Sequence, residues 1–497
     1  MSNTKRTIAK NATVLMGSQV VTWTLSLILA IYLPRYLGVV GMGKLTLARS
    51  LWAIAVVFVG FGMSGLITKE IARDHEKTSD LFNTTIITRT LLFIVGFLGV
   101  VLFSKIAGYP DDTLSIVFII GISSLLAQYA GASRAGLEGV ERMEFIALSD
   151  VVSKAVNVLI TVIFVLLGFD IFAIAAVSII SMLVMLSIQV YFLNRLQRLR
   201  IRLDFSKTRW LLRSSIPYFV TGFSIVLYHQ IDTIIISLLV GEVGVGLYGV
   251  VDTLFGTLLF VPMVFFTAVY PALSRMHAEN PDSMPKVMSK SFDILLMIGV
   301  PMGFGLVVVA NSLVVLLYGA AFADSGPILA IKGIVMIFTY QTMLIGTFLI
   351  SIDRQKPWAI VMATAAFATI PLDIFFVPIF ETVFNNGAMG AAWAYLITEI
   401  GMVIAGFSLL PKGTLKRANL WLTVKVVLAG LIMFIASWYF RSDFIAIPII
   451  IGIIAYAISI MLLRVIPDED WLLFKKLGQE IMLRITRRRA KTSEIGG

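Results

Sequence analysis

Fourteen long apolar runs constrain this chain more than any other feature. They fall at 12–34, 44–65, 84–104, 113–133, 147–167, 171–193, 214–238, 248–273, 291–317, 327–352, 358–379, 389–410, 421–440 and 445–463. A helix needs about 20 apolar residues to cross the roughly 30 Å hydrocarbon core, whereas an outer-membrane strand needs about 10 with strict alternation. These runs are long and do not alternate, so the expected fold class is an all-α polytopic membrane protein with about 14 transmembrane helices. Composition agrees. Of 497 residues, 58% are hydrophobic and 14% charged, too few polar groups to clothe a water-soluble fold. The first run lacks a small-residue cleavage site and leads into further spans, so it is read as a retained helix and not a signal peptide.

An even number of spans puts both termini on one side. The N-terminus, the loops after even-numbered spans and the C-terminal tail carry 31 of the 40 Lys and Arg residues, while the opposite loops carry only Arg35, Lys105 and Arg441. The positive-inside rule then places both termini in the cytoplasm, with the chain in a plasma or inner membrane. The same asymmetry accounts for the net charge of +11, so anionic lipid headgroups are expected partners and nucleic acid is not. In the tail, Leu473, Phe474, Leu477, Ile481 and Ile485 form one apolar helical face between cations. That is the pattern of an interfacial helix over 468–489, or of a tail helix packed on the protein. Cysteine is absent and histidine occurs only as His75, His229 and His277. Disulfides, thiol nucleophiles and a His-based metal cluster are thereby excluded, and no cofactor or metal is expected.

The chain repeats itself. Gly38, Gly41 and Gly43, after the first span, superpose on Gly241, Gly244 and Gly246, after the seventh, at a shift of 203 residues. Residues 137–142, after span four, echo 349–354, after span ten, at a shift of 212. Two echoes at nearly one shift, both matching the span numbering, indicate a six-span repeat. Six is even, so the copies run parallel about a pseudo-two-fold axis along the membrane normal, an arrangement in which transporters hold substrate between the halves. The expected organisation is an N-terminal six-helix lobe (1–193), a basic cytoplasmic linker (194–213) and a C-terminal six-helix lobe (214–410). Helices thirteen and fourteen (411–463) and a basic cytoplasmic tail (464–497) follow.

Three stretches carry a family resemblance: Arg35-Tyr36-Leu37-Gly38, the short loop into a Gly-bearing second span, and Leu211-Leu212-Arg213-Ser214-Ser215-Ile216-Pro217 at the start of span seven. In them the chain resembles the multidrug/oligosaccharidyl-lipid/polysaccharide (MOP) exporter superfamily, and within it the polysaccharide branch. The resemblance implies two six-helix bundles in a V-shaped, MATE-like arrangement, plus two extra helices, around a cavity that opens to each side in turn. It implies a transporter and not an enzyme, one that flips lipid-linked (polyprenyl-phosphate or diphosphate) oligosaccharide from the cytoplasmic to the outer leaflet. H+ or Na+ as coupling ion and polysaccharide polymerase machinery are its implied partners. Lipid II flippases of the superfamily carry arginines inside their first span, whereas residues 12–34 hold none, so another lipid-linked saccharide is the expected cargo. Two other readings compete. A multidrug/cation antiporter on the same scaffold is disfavoured by the extra pair of spans. A membrane-embedded glycosyltransferase or polymerase is disfavoured because the largest internal loop is about 20 residues, a connector's length.

An ionisable group at membrane depth costs about 2.5–3.5 kcal/mol on insertion scales, so each requires a partner or a wet cavity. Arg49, Arg89, Lys154 and Lys332 are the candidates to line a substrate cavity and bind phosphate, which both residue types grip through charge and N–H donors. Arg49 lies about five residues inside the outer end of span two and falls on Asp252 of span eight at the 203-residue shift. Opposite charges at equal depth suggest a gating ion pair, or two groups each satisfied in its own lobe. His229 and Asp232, three apart on one face of span seven, combine an imidazole with a carboxylate, as a proton-coupled step needs; the alternative is a polar knot. Asp373 and Glu399 could bind a coupling cation or pair with Lys332. His229, Asp232, Asp252, Asp373 and Glu399 thus form the expected ion-coupling or gating set. Asp150 and Lys154, four apart, are expected to bridge locally. Asn157, Tyr228, Tyr340 and Gln341 are candidates for sugar hydroxyls or for helix packing. Pro262, Pro301, Pro371 and Pro378 mark hinges or fixed kinks.

Overall fold

The computed structural model describes residues 2–199 and 207–465. The tail helix expected at 468–489 lies outside them, as do Arg200 and Arg202 of the linker. The α-helices are α1 (Ser2–Gly60), α2 (Met63–Arg73), α3 (Thr78–Ile106), α4 (Asp111–Gly139), α5 (Met143–Leu166), α6 (Ile171–Leu196), α7 (Thr208–Leu239), α8 (Glu242–Leu258), α9 (Phe260–Glu279), α10 (Met284–Tyr318), α11 (Ser325–Ser351), α12 (Gln355–Phe384), α13 (Gly387–Leu409), α14 (Arg417–Trp438) and α15 (Ala446–Leu462). Among the described residues, twelve helices are long and apolar enough to cross a membrane. One of them, Thr13–Gly60, holds the first two runs in 48 residues, and Ala446–Leu462 is a shorter apolar helix over the fourteenth run. We call the end of the bundle that carries the N-terminus inner, and the other outer.

The sequence echoes become matched backbone turns. α1 bends at Gly38, where φ 67° and ψ −178° lie in a region open in practice only to glycine. Gly241, its repeat mate, takes φ 88° and ψ −165°. At the second echo, Glu141 and Asp353 both adopt left-handed φ, 58° and 59°. Each closes the same helix-ending turn: Arg142 N–H donates to the Leu137 carbonyl at 2.9 Å, and Arg354 N–H to the Leu349 carbonyl at 2.8 Å.

Proline frees a backbone carbonyl at two places. Pro262 has no N–H for the Leu258 carbonyl and its ring crowds that group, so the eighth run breaks between α8 and α9. The Tyr340 hydroxyl of α11 donates to the orphaned Leu258 carbonyl at 2.9 Å. Pro301 in α10 frees the Met297 carbonyl in the same way, and the Tyr456 hydroxyl of α15 fills it at 2.8 Å. Inside a membrane such acceptors must be satisfied by the protein. A neighbouring helix does so at each of these two prolines, which commits the Tyr340 hydroxyl to helix packing.

α1, α3, α4, α5 and α6 pack on one another, α7, α8 and α10–α13 do likewise, and α14 and α15 lie on α10. α1 joins the two groups through α7 and α8. They meet tightly at the outer end. A Cβ on Gly43 would fall on the carbonyl oxygen of Glu242, and one on Gly246 on that of Val39. Val39 and Glu242 are themselves 203 residues apart, so the two contacts are exchanged by the pseudo-two-fold axis.

Candidate functional site

The outer end is sealed by polar contacts around these glycines. Lys44 bonds Asp112 at the start of α4 and lies 3.7 Å from Glu242 at the start of α8. The Thr113 hydroxyl also donates to Glu242, and the Tyr109 and Ser237 hydroxyls bond at 2.6 Å. Arg35 donates to the Leu316 and Leu317 carbonyls. Neither Lys44 nor Glu242 stood out in the sequence, although both sit in or beside the glycine turns that carry the repeat.

Inward of this seal, a cavity of about 250 Å³ lies between the halves, lined by Ser26, Pro34, Arg49, Lys154, Asn157 and Thr253 among others. Arg49 is exposed and Lys154 half-buried. Neither has a hydrogen-bond or ion-pair partner among the described residues, and each feels the other's charge. Such a pair is tolerable at membrane depth only where water or an anion reaches it. The bridge expected between Asp150 and Lys154 is not formed. Asp150 instead accepts from one guanidinium nitrogen of Arg134, at 3.0 Å on one carboxylate oxygen and 3.3 Å on the other, a charge-assisted contact. A groove of about 390 Å³ shares Ser26, Ala30 and Thr253 with the cavity. It continues inward between the first half of α1 and α8 to the start of α9, where Trp23 packs edge-on against Phe260 at 4.8 Å.

In the C-terminal group the charges turn inward. Lys332, expected in the substrate cavity, is only 1% exposed. Its ammonium lies 3.8 Å from the Tyr395 ring centre, 4.8 Å from that of Tyr248 and 5.1 Å from that of Phe255, an aromatic cage that favours a cation. It is also 3.5 Å from Asp252, whose side chain is 49% exposed. Asp252 is therefore satisfied in its own half, and no Arg49–Asp252 pair forms among the described residues. Behind Lys332, Asp232 accepts the Tyr248 hydroxyl at 2.5 Å and adjoins Asp373. Glu399 accepts Tyr228 at 3.1 Å and Thr342 at 2.8 Å, which commits Tyr228 to the cluster. All three acids are buried and feel Lys332. Both Asp373 oxygens and the Asp232 Oδ1 have no hydrogen-bond donor. His229 and Asp232 diverge despite their spacing: Asp232 is buried, whereas His229 is exposed and lies within electrostatic reach of Asp252 and Lys332. The structure thus brings Asp232, Asp373, Glu399, Asp252 and His229 around Lys332. It leaves Arg89 in a separate pocket, and Gln341 is buried.

Over residues 8–277 the chain matches the family described as polysaccharide biosynthesis protein. It is 22% identical over 340 residues to a putative O-antigen transporter of Escherichia coli K12, covering 67% of this chain and 80% of that relative. It is 24% identical over 173 residues to stage V sporulation protein B of Bacillus subtilis 168, covering 31% of this chain and 32% of that one. Among solved structures, the lipid II flippase MurJ in an inward closed conformation superposes with a TM-score of 0.68 at 17% identity, over 92% of this chain and 99% of its own. An inward-facing MATE multidrug resistance transporter superposes at 0.63 and 17% identity, over 77% and 93%. At such identity the structures speak to fold alone, whereas the family match spans more than half of the chain. This multi-pass membrane protein therefore belongs to the polysaccharide biosynthesis protein family.

Proposed function

We propose that the protein carries a lipid-linked oligosaccharide, anchored on a polyprenyl phosphate or diphosphate, from the cytoplasmic to the outer leaflet of a plasma or inner membrane by alternating access. The observation that carries this reading is the pair Arg49 and Lys154, two cations without counter-charge facing one cavity between the halves. A phosphate supplies the oxygens that both require. The cavity is smaller than the roughly 300–1,000 Å³ that houses a drug-sized ligand, so it suits the phosphate end of the cargo while the sugars extend inward. The adjoining groove between α1 and α8 lets the prenyl tail stay in hydrocarbon.

With the outer end sealed, the head enters from the inner, cytoplasmic end. Phosphate binding neutralises Arg49 and Lys154 and lowers the cost of closing the halves around them. Residues 1–193 and 214–410 then act as the two moving bodies, separating at Gly43 and Gly246. The product is released at the outer face for polysaccharide polymerase machinery. The C-terminal acid cluster resets the cycle. Asp252 is half exposed and lies 3.5 Å from Lys332, so H+ or Na+ arriving at Asp252 competes with Lys332 for it and shifts the balance among Asp232, Asp373 and Glu399.

The test is flipping of a fluorescent lipid-linked oligosaccharide in proteoliposomes, with and without ion gradients. Arg49→Ala with Lys154→Gln should slow flipping about 100-fold, the worth of two charge-assisted contacts of about 1.5 kcal/mol each, while the folded yield is kept. Unchanged flipping would remove the pair from the mechanism. Efflux of cationic dyes without movement of lipid-saccharide would establish the antiporter instead.

A further inference from the structure

Arg89 is a buried cation without a counter-charge. It sits on α3 about 16 Å from Thr78, where that helix starts at the inner end. It is 1% exposed, and no carboxylate pairs with it among the described residues. Its guanidinium donates to the Gln128 carbonyl and, at 2.7 Å, to the Ser64 hydroxyl. A guanidinium carries five N–H groups, so donors remain, and Nε is buried without a partner. The two neutral acceptors answer part of its hydrogen bonding and none of its charge.

The chain breaks its second span at the same place. Phe61 and Gly62 both take left-handed φ, 42° and 68°. α2 then starts afresh at Met63, with Gly62 as its N-cap and no side chain capping the first turn. A helix N-terminus offers N–H groups and the positive end of the dipole to an anion, as the half-helices of broken membrane spans do. Ser64, in that first turn, is the residue Arg89 bonds, so the two positive features converge. Gly62, Ser64 and Arg89 line one pocket of about 180 Å³ with Gly131 of α4 and Gly222 of α7. Ser64 and Tyr218 in its wall are exposed, so the pocket has an opening. Glycine leaves the room: a Cβ on Gly131 would stand 3.2 Å from the guanidinium. The wall from α7 is held close, since a Cβ on Gly62 would lie 2.5 Å from the Phe219 backbone nitrogen.

We infer that this pocket binds one small monovalent inorganic anion of the halide class, which accepts from Arg89 and neutralises it inside the bundle. One negative charge matches one cation. A phosphate monoester or a diphosphate brings more than one, and the excess would itself be a buried charge without a partner. The pocket is smaller than the Arg49 cavity, about 180 against about 250 Å³, and holds one cation where that cavity holds two. The two share no lining residue. The anion site is therefore separate from the place proposed for the cargo's phosphate, and it stands whatever the cargo is.

Thermal melting of the purified full-length protein tests it, with sodium gluconate exchanged stepwise for sodium chloride at constant ionic strength. Chloride should raise the melting temperature along a saturating curve, as a ligand of the folded state does. Arg89→Gln should raise the half-saturating chloride concentration about tenfold or more, the worth of one charge-assisted hydrogen bond. Gly222→Leu should weaken the response as much while leaving Arg89 in place, since a Cβ on Gly222 meets nothing within 4 Å and the side chain fills the pocket. This second variant keeps the test sharp if Arg89→Gln fails to fold. Arg49→Ala with Lys154→Gln should keep the chloride response, which separates this site from the proposed cargo cavity. A wild-type melting temperature indifferent to chloride, or an unchanged half-saturation in folded Arg89→Gln or Gly222→Leu, overturns the inference. Abolition of the chloride response by added polyprenyl phosphate or phosphatidylglycerol also overturns it, and would assign the pocket to a lipid phosphate.

Discussion

Replacing Gly43 by alanine should open the outer end. The added Cβ would land on the Glu242 carbonyl oxygen, and a backbone atom cannot swing aside as a side chain can, so the start of α8 has to retreat as a body. Alanine is the better helix former by about 1 kcal/mol, so any loss arises from the contact and not from α1 itself. Overpacking a close contact costs about 1–3 kcal/mol, and here the cost exists only while the outer ends touch. Taking about 2 kcal/mol, the outer-open population rises about 30-fold. Gly246→Ala strikes the Val39 carbonyl and should give the same shift through the pseudo-two-fold axis. Gly17→Ala, where a Cβ meets nothing within 4 Å, should give none. The chain has no cysteine, so one cysteine introduced at Thr253 on the cavity wall reports cleanly. Its labelling by an impermeant maleimide added from the outer side should accelerate about 30-fold in Gly43→Ala. Equal rates in folded Gly43→Ala and Gly17→Ala would refute the reading of this contact as the seal.

Three further outcomes are expected. Tyr340→Phe leaves the Leu258 carbonyl unsatisfied at the Pro262 bend and should lower stability by about 1 kcal/mol without weakening cargo binding; thermal melting and a binding titration separate the two, and an unchanged melting temperature would deny the bond its role. Lys332→Met strips the cation from the acid cluster and should cost about 3–5 kcal/mol, read as lost monodisperse protein. Adding Asp252→Asn should restore part of that yield, and strictly additive losses would dissolve the pairing. His229→Asn with Asp232→Asn should flatten the pH profile of transport, and a wild-type profile would exclude these two groups from proton coupling.

Much of the fold was legible because its determinants are local. Depth in a membrane follows from runs of apolar residues at 1.5 Å each, and the glycine turns and helix-ending turns of the repeat are single-residue conformational demands. Gly38 with Gly241, and Glu141 with Asp353, could therefore be matched by their spacing along the chain. The two glycines agree in φ and ψ to within about 20°, the ordinary scatter of one conformation. The presence of charges at membrane depth was equally plain.

Which charges meet was decided by tertiary structure alone. Arg49 and Asp252 are repeat mates at one depth, yet Asp252 pairs with Lys332, 80 residues on, because α11 packs on α8. Asp150 had Lys154 one turn away and bonded Arg134 of another helix. His229 and Asp232 share a span, yet His229 is exposed and Asp232 buried. Sequence alone located the apolar runs, the paired turns and the place of each charge along its helix, since these depend on position along one axis. The rotation of each helix about that axis, and hence every partner, was settled only when ridges and side-chain volumes of distant segments packed together.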